Sequence, residues 1–313
     1  MFNPFVRWVL FSPIQTIICC IGIPGNVISA LVWSRLKNKG QLKNKSVCNN
    51  FILLSIVDLG VLIFSILSDV LPVTDEDLIK DSGGSCLFGY VLKYFIHPAH
   101  FYFLFSSIYL VTVLSVERLN FVVRPLSRLT FSKSWSRALW LSVFLIAFVV
   151  NIPTFFEYEI VKDVNITYCI APVDYVNNIA FRNIVFFSHC IFGLAIPWFI
   201  SLLCNIILVG KTFNRLRNRH SSSTVNSETR HILKTTSAIT FSSLILLSVQ
   251  CISRCFKMFI LSKNQKNWAL IQRVAYVGHL AIPLNATINF IMYCLPGSYF
   301  RKEMTKMFRR VKD

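Results

Sequence analysis

The chain has 313 residues, of which 54% are hydrophobic, 15% are charged and 28 are Phe. Soluble domains carry about 25% charge, and one water-soluble core of this size cannot enclose so much apolar surface, so disorder, collagen and a small disulfide scaffold are excluded. The ten Cys are scattered, without a CxxC pair or a His/Cys cluster at metal-ligand spacing, which leaves an integral membrane protein.

Seven long apolar stretches follow in order, approximately 9–33, 48–71, 87–117, 138–156, 183–209, 235–261 and 268–294. Each is near or above the roughly 18–20 residues that a membrane helix needs. The runs are too long for strands and lack a period of two. The first, fourth and fifth carry almost no charge, whereas the third, sixth and seventh contain His, Lys, Arg or Pro and read as helices lining something polar. After Pro296-Gly297, the residues Phe300, Met304, Met307, Phe308 and Val311 share one helical face amid Lys and Arg, the pattern of a short amphipathic helix on a membrane surface. The predicted fold is therefore all-α and membrane-integral. It has an N-terminus over 1–8, a seven-helix bundle over 9–294, and a tail over 295–313 with an amphipathic eighth helix.

Charge supplies an orientation. Segments 34–47, 118–137, 210–234 and 295–313 hold 22 of the 32 Lys and Arg, while nine of the 14 acidic residues fall in 69–81 and 157–174. By the positive-inside rule the basic set is cytoplasmic and the N-terminus is outside. The formal net charge of +18 then reflects topology and contact with anionic lipid rather than nucleic acid. Met1 to Trp8 is too short for a cleavable signal.

Polar residues inside spans are expensive and mark candidate sites. Asp58 sits mid-way along span two, with Asn26, Ser107, Asn285 and Asn289 at similar depth. Such a cluster can hold a small cation, sodium being the candidate, or form a hydrogen-bond network with either a fixed or a switching arrangement. Glu117-Arg118 lies at the inner end of span three, as an ordinary interface pair or as a latch in which the acid holds the Arg. In the outer halves lie Lys93, His97, Pro98 and His100 on span three, Arg254 and Lys257 on span six, and His279 on span seven. Convergence from three helices suggests a pocket open to the outside; Arg254 and Lys257 can instead snorkel to headgroups. No HExxH, GxSxG, P-loop or GxGxxG stands in a suitable context, so no catalytic residue, metal site or organic cofactor is expected.

The spans also carry ordered motifs: Gly25-Asn26-Val27; Leu54 to Asp58; Ser115-Val116-Glu117-Arg118-Leu119 followed by Arg124-Pro125-Leu126; Trp140; Pro197; and Asn285 to Tyr293 followed by Phe300-Arg301. In these the chain resembles the class A (rhodopsin-like) G-protein-coupled receptors over nearly its whole length. Asn151-Ile152-Pro153-Thr154-Phe155-Phe156-Glu157, Phe290, Pro98 and Asn205 are similar to the invertebrate FMRFamide-type neuropeptide branch. The resemblance implies a plasma-membrane receptor, not an enzyme. A short, amidated peptide would sit against His97, His100, Phe101, His279, Arg254 and Lys257. Glu117 and Arg118 would couple to a heterotrimeric G protein, and Asn26, Asp58, Ser107, Asn285, Asn289 and Tyr293 would connect the two ends.

The departures from that pattern are informative. Lys93 stands where most of the class has Cys; Cys86, seven residues earlier, remains able to pair with Cys169, and the alternative is two free thiols. Span six lacks Cys-Trp-x-Pro, with Leu244, Ile245 and Leu247 there, so its outward swing is in question. His100 replaces the Asp of amine receptors and Pro283 the retinal Lys of opsins. Asn165-Ile166-Thr167 is a glycosylation sequon on the outer side. The acidic run Asp75, Glu76, Asp77 and Asp81 suits a basic peptide. The alternatives are a chemosensory receptor for a small external molecule, a receptor that traffics or scaffolds without signalling, and an ion-coupled transporter using Asp58.

Overall fold

Each long apolar run folds as a helix because a bilayer offers no partner for backbone N–H and C=O groups, and a helix satisfies them internally. A computed structural model describes residues 13–39, 45–70, 87–123, 133–160, 170–172, 178–217, 227–261, 268–295 and 298–309. Helix α1 is Gln15–Asn38, and α2 runs over Lys45–Ser65 and a wider turn at Ile66–Val70. Helix α3 comprises Leu87–Val91, Leu92–Ile96 and His97–Val123. Helix α4, Lys133–Asn151, tightens into a final turn at Ile152–Phe156, where Pro153 sits at the start. Helix α5 runs over Ile179–Val185, Phe186–Ala195 and Ile196–Arg217; α6 is Ser227–Leu261 and α7 is Trp268–Cys294. Among the described residues, seven helices are long and apolar enough to cross a membrane.

Several boundaries differ from those expected, each for a local reason. Helix α1 continues past residue 33 because Trp33 and Leu36 are still buried against the core. Helix α5 starts early because the Asn178 side chain accepts a hydrogen bond from the Phe181 N–H at 3.0 Å and caps it. The strands β1, Tyr158–Ile160, and β2, Ile170–Pro172, pair antiparallel with Glu159 opposite Ala171, a short hairpin between α4 and α5. Cys86, Cys169, Asn165 and the acidic run 75–81 lie outside the described residues, as does the side chain of Lys257.

Helix α3 is central: it touches α2, α4, α5 and α6, while α1 meets α2 and α7, and the most extensive contact joins α6 to α7. Gly25 permits the α1–α7 approach, since a Cβ there would lie 2.8 Å from the Phe290 ring. Near the chain's basic end an aromatic cluster forms. Trp33 meets Phe51 at 4.5 Å and Tyr293 at 5.5 Å between ring centroids, and Tyr293 stacks on Phe300 at 5.6 Å. Phe300 belongs to α8, Ser298–Arg309, whose apolar face thus docks onto the bundle rather than only onto lipid. The buried Glu303 takes an ion pair from Lys39 of α1 and fixes that docking.

Truncating Trp33 would open a cavity inside this cluster. Trp33→Ala is expected to destabilise the detergent-solubilised protein by about 3–5 kcal/mol. Leu141→Ala, on a side chain that is 71% exposed on the outside of the bundle, should leave the unfolding midpoint nearly unchanged. Equal losses in the two variants would show that the cluster does not hold α1, α7 and α8 together.

Candidate functional site

Three polar groups are spaced along the bundle. At its centre both oxygens of the fully buried Asp58 are engaged: Ser107 of α3 donates to Oδ1 at 2.6 Å and Asn289 of α7 donates to Oδ2 at 2.7 Å. Asn26 donates to the carbonyls of Gly22 and Ala286, each at 3.0 Å, tying α1 to α7. The Oδ1 atoms of Asn285 and Asn289 are buried and have no protein partner. Carboxylate, hydroxyl and amide oxygens are the donors a small hard cation takes, so this residue set fits a sodium ion. Among the described residues no cluster of three or more His, Cys, Asp or Glu is arranged to hold a metal.

At the basic end, Glu117 and Arg118 do not pair, contrary to the latch expected from their adjacency. Successive residues on a helix point about 100° apart, and the two side chains reach different neighbours. Glu117 accepts from Asn50 of α2 at 2.6 Å and from Ser46 at 3.2 Å, and Trp140 of α4 donates to the other side of Asn50 at 2.6 Å. Arg118 donates instead to Asn205 Oδ1 of α5 at 3.4 Å, which also accepts from Thr240 of α6 at 3.2 Å. Asn205 is thereby the joint of α3, α5 and α6.

At the other end lies a cavity of about 90 Å³, smaller than the ~150 Å³ that holds benzene in an apolar core. It is bounded by α3, α5, α6, α7 and the segment following α4. His97 and Phe101 of α3, Arg254 of α6 and His279 of α7 all line it. Glu157, 13% exposed, sits between two imidazoles: His97 Nε2 is 3.2 Å from Oε2 and His189 Nδ1 is 3.2 Å from Oε1. Hydrogen-bond order fixes the His189 ring. Asn151 donates through Nδ2 to the Pro98 carbonyl at 2.8 Å, so its Oδ1 takes the Thr154 hydroxyl proton at 2.9 Å. That hydroxyl then accepts from His189 Nε2–H at 3.2 Å, so the 3.2 Å contact of Nδ1 with Glu157 Oε1 is a hydrogen bond only when the ring carries both protons. Burial alone would raise the Glu157 carboxyl, but hydrogen bonds from His189 and His97, and their charge, outweigh it and hold it well below the ordinary value of 4.5. The Arg254 guanidinium lies over the Phe101 ring at 4.4 Å, and among the described residues it has no carboxylate partner.

The bundle thus brings together four of the expected pocket residues. His100 is not among them: it is buried and turned toward α2, where Nε2 is 3.1 Å from Ser65 Oγ and Nδ1 is 3.0 Å from Ser68 Oγ. One helical position from Phe101 is enough to move a side chain to another face. His189 and Gln250 line the cavity but are not legible as site residues in the sequence. The signal available for each was a polar residue in a largely apolar span, His189 lying in one that carries no Asp, Glu, Lys or Arg over 183–209.

The family comparison agrees with this geometry. Residues 25–293 match the 7 transmembrane receptor (rhodopsin family). The chain is 32% identical over 46% of its length to the FMRFamide peptide receptor frpr-18 of Caenorhabditis elegans, covering 32% of that protein. It is 24% identical over 98% of its length to the FMRFamide receptor of Drosophila melanogaster, covering 56% of it. It is also 23% identical over 96% of its length to the C-C chemokine receptor 1-like protein 1 of Mus musculus, covering 80% of that protein. The chain spans about a third of one FMRFamide-receptor relative and just over half of the other. The match over most of the bundle makes this chain a multi-pass membrane protein that belongs to the rhodopsin family of seven-transmembrane receptors, and not an enzyme.

Proposed function

We propose that this chain is a plasma-membrane receptor, N-terminus outside, that binds a short extracellular peptide in the His97–His279 cavity and signals through a heterotrimeric G protein at the Arg118 end. The single observation that carries this is the disposition of α3. One helix places Phe101 in a polar cavity and Arg118, 17 residues and about 26 Å further along, at a joint of three helices. Ser107 lies between them on Asp58. A ligand that favours one arrangement of α3 against α5 and α6 shifts an existing equilibrium at the far end. The relatives named for FMRFamide support a peptide ligand, and the basic segments beside Arg118 support that end as cytoplasmic. In this reading a Cys86–Cys169 disulfide and a glycan on Asn165 belong to the outer face, and residues 295–313 to the inner one. Asp58 with its oxygen neighbours is the seat of a sodium ion.

In transfected cells, a saturable G-protein response to an amidated-peptide library is expected. It should be abolished by Arg118→Ala and by Asp58→Ala while surface delivery persists. Undiminished signalling in both variants would overturn the route through α3.

Glu157 holds α3 to α5 in this reading, so its charge state sets the cavity wall. Facing it are His97, His189 and Tyr158, and Arg254 lines the same cavity. A carboxyl whose native value is depressed contributes stability above its unfolded value, and that stability is lost as pH falls through the native one. Glu157→Gln should therefore lower the unfolding free energy near neutral pH by about 1–3 kcal/mol. The gap to the wild type should close as pH drops below 4.5. A gap that widens on acidification would contradict the assignment.

A further inference from the structure

One polar side chain in the cavity is not accounted for by any contact within the protein. Gln250 of α6 is 2% exposed, it lines the cavity, and neither its Nε2 nor its Oε1 has a hydrogen-bond partner. Leaving a buried donor or acceptor unmatched costs about 1–3 kcal/mol each, and this residue carries one of each type. Leu247, one turn before, is fully apolar and buried. The neighbouring Ser253 turns back to the Gln250 carbonyl at 3.0 Å, so it does not relieve the side chain. Arg254 is one turn beyond Gln250 on the same helix face and brings a second set of donors to the same space.

From this we infer that Gln250 is a specificity-determining residue that seats a terminal carboxamide of the ligand, its Oε1 accepting the ligand N–H and its Nε2 donating to the ligand carbonyl. The inference rests on the proposed peptide reading and deepens it. Three features of the cavity select this group. Its volume of about 90 Å³ takes an end group rather than a whole peptide. Its amide lining offers donor and acceptor side by side, the complement of another amide. A free carboxylate accepts from Gln250 Nε2 and from Arg254, but it has no proton for Oε1 and stands against the ionised Glu157 in the same cavity. Buried polar groups left unmatched by an analogue give the largest discrimination a binding site achieves. Gln250 therefore sets amide over acid, while Arg254 by itself favours the acid.

The test is direct binding to the full-length receptor in lipid nanodiscs, without G protein. The probes are a panel of short peptides ending in Arg-Phe, each made both as the carboxamide and as the free acid. The wild type should bind at least one carboxamide about tenfold or more tightly than its acid, tenfold being 1.4 kcal/mol. In Gln250→Leu the preference should collapse or reverse towards the acid through Arg254, with Gln250→Met as a second variant of closer shape. Both replace an unmatched amide with an apolar group and should fold with an unchanged or higher unfolding midpoint. Amide and acid binding equally to the wild type, or a preference that survives in both variants, would overturn the role of Gln250 and leave the peptide receptor standing. Binding of neither form by the folded wild type would overturn the peptide reading, and this inference with it.

Discussion

A carboxylate cannot lie unmatched in the centre of seven apolar helices, and the structure is organised around meeting that condition at Asp58. Ser107 and Asn289 give it one hydrogen bond per oxygen, from two different helices. Moving a buried charge away from its partners is expensive in low dielectric, so the knot fixes the depth of α2, α3 and α7 relative to one another. Apolar packing cannot do this, because lipid tails are as apolar as the side chains they compete with. The polar contacts supply register, and the close fit of Gly25 on Phe290 supplies distance.

The same logic sets the two ends apart. At one, Asn205 collects Arg118, Thr240 and its own helix through the Ser201 carbonyl at 2.7 Å. At the other, Glu157 collects His97 and His189. Both are single residues joining α3 to α5, one on a neutral amide and one on a charge. The amide joint is long, at 3.4 Å to Arg118, and the Arg118 Nε is buried without a partner. A weakly held cation is easier to release than one in a salt bridge, which places the more readily broken contact at the Arg118 end.

The architecture was legible in the sequence because it follows from summed hydropathy and charge, which average over many residues. Span number, the depth of Asp58 beside Ser107 and Asn289, and the presence of His97, Arg254 and His279 near one another all came from that level, while Phe101 entered only with the family resemblance. Rotation about the helix axis did not. His100 and Phe101 are neighbours in sequence, yet one faces Ser65 and the other the cavity. Glu117 and Arg118 diverge in the same way. His189 and Gln250 were missed because a single polar residue in an apolar run has the same appearance whether it lines a cavity or finishes a structural contact. Here the first shares Glu157 with His97, while the second has nothing within the protein to bond.

Helix α6 carries the last consequence. Over Ser227–Leu261 it contains no proline, so no residue of its own removes a backbone bond and sets a hinge. Its position must be held by neighbours. Trp198 of α5 donates to Ser248 at 2.9 Å and to the Leu244 carbonyl at 3.3 Å, and Thr240 reaches Asn205. On the α7 side, Gly278 lets Ser253 come close enough that no Cβ fits between them. These contacts clamp α6 above and below its midpoint. A rigid helix clamped this way moves by rolling or tilting as a unit rather than by bending. Gln250, Ser253 and Arg254 in the cavity lie on the same unbroken helix as Thr240 at the Arg118 end. No break in the helix separates the cavity from the Asn205 joint, so the two share one continuous backbone.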